Sequence, residues 1–209
     1  MFYISPQNNF PVIEIAHESG IVAIGGAVDP ENLLKAYHMG IFPWYNEDNP
    51  IVWYSPRQRM VLVPKEVKIS KSMRKIIRDD TFKVTFNTRF EEVIHHCKNS
   101  PRKDQEGTWL NDDLVTSMLQ LHKKGIAKSV EVWQNNTLVG GLYGIDLGNI
   151  FCGESMFSLV SNASKVAFIA LARKLETENY SIIDCQVYNN HLASLGAIEI
   201  PRYEFKKFL

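Results

Sequence analysis

Between residues 128 and 187 the hydrophobic pattern changes period twice, and this restricts the fold more than any other feature of the chain. KSVEVW (128–133) alternates as a half-buried strand, QNN turns, and TLVGGLYGI (137–145) makes a second strand with glycines at 140, 141 and 144. DLGN turns again into a third strand, IFCGE (150–154). The period then lengthens. ASKVAFIALARKLETEN (163–179), capped by Asn162, sets Val166, Ile169, Ala170 and Leu171 on one helical stripe. YSIIDCQV is apolar enough for a central strand, NNHLASLGA predicts a short helix, and IEIPRYEF a last strand. Antiparallel strands, then helix, strand, helix, strand, predict an α/β (α+β) fold with a mixed, largely antiparallel sheet.

The N-terminal part reads differently. IVAIGGAV (21–28) is a buried strand ending in a turn; Asp29 and Pro30 open a helix over ENLLKAYHM, and Gly40 stops it. The following stretch, IFPWYNEDNPIVWYSPRQR, mixes aromatic residues with Pro43, Pro50 and Pro56, which predicts an irregular, stiff surface segment. A boundary near its end divides the chain into a small N-terminal domain (1–60) and a larger one (61–209). Just past that boundary, Lys65, Lys68, Lys71, Arg74, Lys75 and Arg78 stand against Glu66 alone. Ser70 caps a helix, KSMRKIIRDD, whose Met73, Ile76 and Ile77 face inward. Lys71, Arg74, Lys75 and Arg78 share its outer face. A solvated helix face is the plain explanation for such a run; the neighbouring aromatic segment favours a phosphate-binding one.

Lys+Arg and Asp+Glu both number 23, so attraction to a polyanion must come from such local clusters and not from net charge. The first residues lack the basic start and apolar run of a secretory signal, and no stretch is long and apolar enough to span a bilayer. The expectation is a cytosolic, monomeric protein without membrane contact. Cys97, Cys152 and Cys185 form no CxxC pair and fit buried, reduced thiols. His95, His96 and Cys97 are consecutive, so they point in different directions, and no metal site is expected.

Three chemical readings compete for the remaining motifs. Ser155, Asp184 and His191 stand in the chain order of an α/β-hydrolase triad, but Phe157 replaces the second glycine of a nucleophile turn, and no helix follows at once. The strand and helix order fits an acetyltransferase-type (GNAT) fold. Its CoA pyrophosphate, however, needs a glycine-containing loop at the helix N-terminus, and the loop here, SLVSNASK, has none. Glu154, a carboxylate in an apolar stretch, is either a strand end reaching solvent or an acid awaiting a cation.

GIFPWY (40–45), WYSPRQR (53–59), GTWL (107–110), KSVEVW, LVGGLYG (138–144), FCGESMFS (151–158), NASK (162–165), IIDCQV (182–187) and HLASLGA (191–197) resemble, in order, the signature segments of bacterial leucyl/phenylalanyl-tRNA-protein transferases. The resemblance runs from about residue 20 to the end. Two segments depart from the pattern: SPRQR stands for the usual SPDPR, and GGAV for GGDL.

The resemblance implies a GNAT-like C-terminal domain that uses neither CoA nor metal. It implies transfer of Leu, Phe or Met from aminoacyl-tRNA to the α-amino group of proteins beginning with Arg or Lys, which marks them for N-end rule degradation. A CoA-dependent N-acetyltransferase and a non-catalytic RNA-binding module are the alternatives. Asp184 and Gln186, two apart on a strand, would project to one side as the catalytic pair. Glu154 would hold the incoming cationic terminus, and Leu142, Phe151, Met156 and Ile183 would form the cleft for the Leu or Phe side chain. Trp44 and Trp109 correspond to aromatic residues that contact the 3′-terminal adenosine. Lys71, Arg74, Lys75 and Arg78 would guide the acceptor stem.

Overall fold

The structure is a computed structural model that describes residues 2–5, 9–46, 48–100 and 110–209. Two sheets divide the chain. The smaller has four strands, β1 (Phe2–Ile4), β2 (Ile21–Gly25), β3 (Phe42–Pro43) and β4 (Val52–Tyr54), in the order β1-β2-β4-β3. Helix α1 (Pro30–His38) follows β2; Asp29 caps it by accepting from the Glu31 and Asn32 N–H groups, and Gly40 closes it at φ +72°. The aromatic and proline-rich segment is therefore not irregular. Pro43 is admitted because β3 lies at a sheet edge, and Trp53, fully buried, donates from Nε1 to the Gly25 carbonyl at 2.9 Å.

The chain joins the larger sheet at β5 (Gln58–Leu62). Next come α2 (Lys71–Arg78), β6 (Lys83–Phe86), α3 (Phe90–Asn99), α4 (Asp112–Lys123), β7 (Ala127–Gln134), β8 (Thr137–Asp146) and β9 (Ile150–Ser158). The chain ends with α5 (Ala163–Thr177), β10 (Ile182–Gln186), α6 (Asn190–Ser194), β11 (Ile198–Pro201) and α7 (Arg202–Phe205). The seven strands run β11-β5-β10-β9-β8-β7-β6, and only β9 and β10 are parallel neighbours. This is the mixed, mainly antiparallel α/β arrangement that the alternating pattern predicts: a meander β7-β8-β9, a crossover helix, and a return strand beside β9.

Local chemistry explains most of these elements. Ser70 caps α2, accepting from the Met73 N–H at 3.2 Å. Asn162 precedes α5 but sits at φ +72° without a capping hydrogen bond; the Ser158 hydroxyl accepts the Ser164 N–H instead, at 3.2 Å. The predicted last strand stops at Pro201, where the missing N–H ends the ladder and RYEF coils into α7. Helix α5 covers one face of the sheet through Val166, Ile169 and Leu171, all buried, with Ala170 at its margin. A Cβ at Gly140 would come within 2.5 Å of the Ala163 Cβ, so glycine is what lets α5 start this close to β8. The other face is covered by α1, α3, α4 and the small sheet, whose apolar side chains form one continuous cluster with those of the large sheet. Cys97, Cys152 and Cys185 are buried and form no disulfide. Among the described residues no helix is long and apolar enough to cross a membrane.

Candidate active site

Strands β9 and β10 pair for only three residues, Ile182, Ile183 and Asp184 lying opposite Ile150, Phe151 and Cys152. Just beyond, both strands carry an extra residue. Tyr143 pairs with Ser155 and Gly144 with Gly153, which leaves Glu154 as a bulge in β9. Asp184 pairs with Val61 and Gln186 with Met60, so Cys185 is the extra residue in β10. The two strands diverge from this level and open a cavity of about 610 Å³ through the sheet. Glu154 is thus not at a strand end, as the sequence suggests; it sits inside β9 and is re-aimed by its bulge.

At the neck of the cavity Gln186 Nε2 donates to Glu154 Oε1 at 2.7 Å. Gln186 takes a left-handed conformation, φ +64°, and its backbone N–H donates to Asp184 Oδ1 at 2.9 Å. That bond supports a conformation that costs a non-glycine residue of order 1 kcal/mol. The bulge also overturns an expectation. Asp184 and Gln186 do not project together into the cleft, because straight two-residue alternation is lost between them. Asp184 is fully buried, and both its carboxylate oxygens are held by Arg59, Nε to Oδ1 at 2.7 Å and Nη2 to Oδ2 at 2.6 Å. The same pairing removes it from any Ser155, Asp184, His191 triad.

Arg59, the last residue of SPRQR, is equally buried. Its guanidinium lies between the rings of Phe42 (4.7 Å) and Phe205 (4.6 Å). Burial is the largest influence and works against its charge, but the charge and hydrogen bonds of Asp184, with smaller contributions from Cys152 and Tyr37, together leave its pKa raised. Arg57, one of the departures from the family pattern, is exposed; the pKa of its neighbour Arg202 is lowered by burial first and by Arg57 second.

Glu154 has the unusual electrostatics. Burial raises its pKa to about 7, Asp184's charge adds to the rise, and contacts with Tyr37 and Gln186 hold it down. The Tyr37 hydroxyl is buried without a hydrogen bond of good geometry; burial, then Glu154's charge, push its own pKa well above the usual phenol range. The Cys152 thiol, raised by burial and then by Asp184, stays protonated and unreactive.

The predicted apolar residues do converge. Leu142, Phe151, Met156 and Ile183 all line the cavity, on the α5 side of the sheet. Trp44, 38% exposed and edge-on to Tyr54, lines its mouth on the other side. Trp109 lies outside the described residues. Lys71, Arg74, Lys75 and Arg78 are exposed on α2 as expected but do not line the cavity, and Asp79 pairs with Lys75 (3.4 Å) and Arg78 (3.6 Å). Tyr37 and Arg59 were the functional neighbours that sequence reasoning missed. An arginine directly preceding the apolar run MVLV was the available signal for the second.

Comparison with known proteins identifies the family. The family profile described as leucyl/phenylalanyl-tRNA protein transferase matches residues 61–209, and that of its N-terminal domain matches 26–57. A leucyl/phenylalanyl-tRNA-protein transferase of Flavobacterium johnsoniae is 58% identical over 209 residues, covering 100% of this chain and 99% of that one. The protein of the same name in Christiangramia forsetii is 53% identical, with 100% of both chains covered. Among solved structures, a conserved protein of unknown function from Bacteroides thetaiotaomicron shares the fold at a TM-score of 0.51 and 13% identity; the match covers 66% of this chain and 54% of that one. This chain belongs to the leucyl/phenylalanyl-tRNA protein transferase family, a family of aminoacyltransferases.

Proposed function

We infer that the protein transfers Leu, Phe or Met from aminoacyl-tRNA to the α-amino group of proteins that begin with Arg or Lys, marking them for N-end rule degradation. The observation that carries this reading is the Glu154–Gln186 pair at the neck of an apolar cavity with Trp44 at its mouth. Trp44 stacks on the terminal adenine, a contact worth about 1 to 3 kcal/mol that needs no tRNA sequence. The aminoacyl side chain passes the neck to Leu142, Phe151, Met156 and Ile183.

The chemistry asks little of the protein. An α-amine has a pKa of about 7.7 to 8.0, and Glu154, raised to about 7, is close enough in basicity to take one proton from the ammonium form. Gln186 spends its N–H on Glu154 and offers its carbonyl oxygen to the amine. The freed amine nitrogen attacks the ester carbonyl carbon. The C–N bond forms, the bond to the ribose oxygen breaks, and the second nitrogen proton leaves with that oxygen as the hydroxyl of the released tRNA. Holding amine and ester in contact supplies most of the acceleration. Asp184 acts as a positioning residue, keeping Gln186 in its left-handed turn. Incubation with labelled Leu-tRNA and an Arg-initiated peptide is expected to label the peptide; modification supported only by acetyl-CoA overturns the reading.

A further inference from the structure

The cavity has a wall whose side chains the transfer chemistry uses in part and whose backbone it leaves unused. Six consecutive residues of β9, Gly153 to Ser158, line it. Side chains alternate across a sheet, so an unbroken run means that the edge of the strand, not one face, borders the space. The pairing agrees: on the β10 side β9 has no strand partner beyond Cys152 among the described residues. The Leu159 N–H donates to the Val139 carbonyl across the β8–β9 ladder, at 2.8 Å. By alternation Met156 and Ser158 turn their backbone N–H and C=O groups the opposite way, into the cavity.

We propose that the acceptor polypeptide binds as an added strand on this edge, its terminal amine at Glu154 and its next residues running along Met156 and Ser158. The proposal rests on Glu154 as the seat of the amine. Charge complementarity fixes the inner end, where a carboxylate at the floor of the wedge meets the one cationic backbone group a polypeptide has. The two-residue spacing of the free backbone groups then matches a polypeptide, whose amides repeat with the same period. An aminoacyl ester has no second amide to offer. Recognition through main-chain atoms also leaves the side chains after the first residue unspecified, so one site accepts many proteins.

The test alters the substrate and leaves the protein intact. Arg-initiated peptides carrying a single N-methyl group at the second, third or sixth residue are compared with the unmodified peptide at saturating Leu-tRNA. One of the two inner methylations, but not its neighbour, is expected to raise KM roughly tenfold with kcat nearly unchanged, and methylation at residue six to have no effect. Equal tolerance of both inner methylations, with normal transfer to the unmodified peptide, overturns the added strand and leaves the transferase reading standing. Failure to transfer to the unmodified peptide overturns both.

Discussion

Glu154 is a carboxylate whose burial costs stability in one range of pH. Its folded pKa of about 7 lies above the ordinary 4.5, so between those values the folded protein binds more protons than the unfolded chain. The penalty is absent below about pH 4.5, grows as pH rises, and is complete above 7, where it is on the order of 3 kcal/mol. Glu154→Gln is therefore expected to unfold later than the wild type in urea at pH 8 and not at pH 4.5; equal stability at both values would show the acid to be well solvated. Asp184 differs in having a buried cation as its partner. Asp184→Asn leaves the Arg59 charge buried with one fewer anion and is expected to cost about 3 to 5 kcal/mol in the same denaturation experiment. Neither partner was legible as a pair, because 125 residues separate them and only the fold brings them together. The candidates GESMFS and IIDCQV were legible; the bulges that aim Glu154 inward and turn Asp184 away were not, since a period-two pattern does not show where one residue is extra.

Among the elements, α2 presents exposed basic charge. Met73 holds it to the core while Lys71 and Arg74 are exposed and lie outside the Asp79 pairs. Replacing both with glutamine is expected to weaken aminoacyl-tRNA binding and to reduce the slope of log affinity against log salt by about one for each phosphate no longer neutralised, while the peptide KM stays fixed. An unchanged slope would make α2 a solvated face. Strand β7 presents a different case. Glu131, wholly buried, reads from the sequence as the polar step of an alternating strand, yet it accepts from Ser129, Thr85 and Thr88 side chains and faces the backbone N–H groups at the start of α3. Glu131→Ala is expected to cost about 3 kcal/mol, read as a lowered melting temperature with the transfer KM values retained. Helices α3 and α4 were legible but missed: Phe90, Val93, Ile94 and Cys97, and likewise Leu114, Val115, Met118 and Leu121, recur at helical spacing, and both stripes pack on the meander.

For the whole molecule, the small sheet matters because it carries Trp44 to one side of a gap whose other side holds the apolar pocket. The Phe42–Arg59–Phe205 stack ties three separate parts of the chain together at that point, the edge of the small sheet, the start of β5, and α7. The general layout was legible from the change of hydrophobic period; the joint was not, because the prolines of 43–56 hide a short edge strand as irregular chain. The central claim concerns the gap itself, where Glu154 and Gln186 bring an incoming amine to an aminoacyl ester. Its most direct test is the single-turnover rate of leucine transfer from prebound Leu-tRNA to an Arg-initiated peptide, in the wild type and in Glu154→Gln. The predicted result is a rate that rises with pH around 7 in the wild type, and a loss of about a hundredfold with tRNA affinity kept in the variant; a variant within about threefold of the wild type across the same pH range contradicts it.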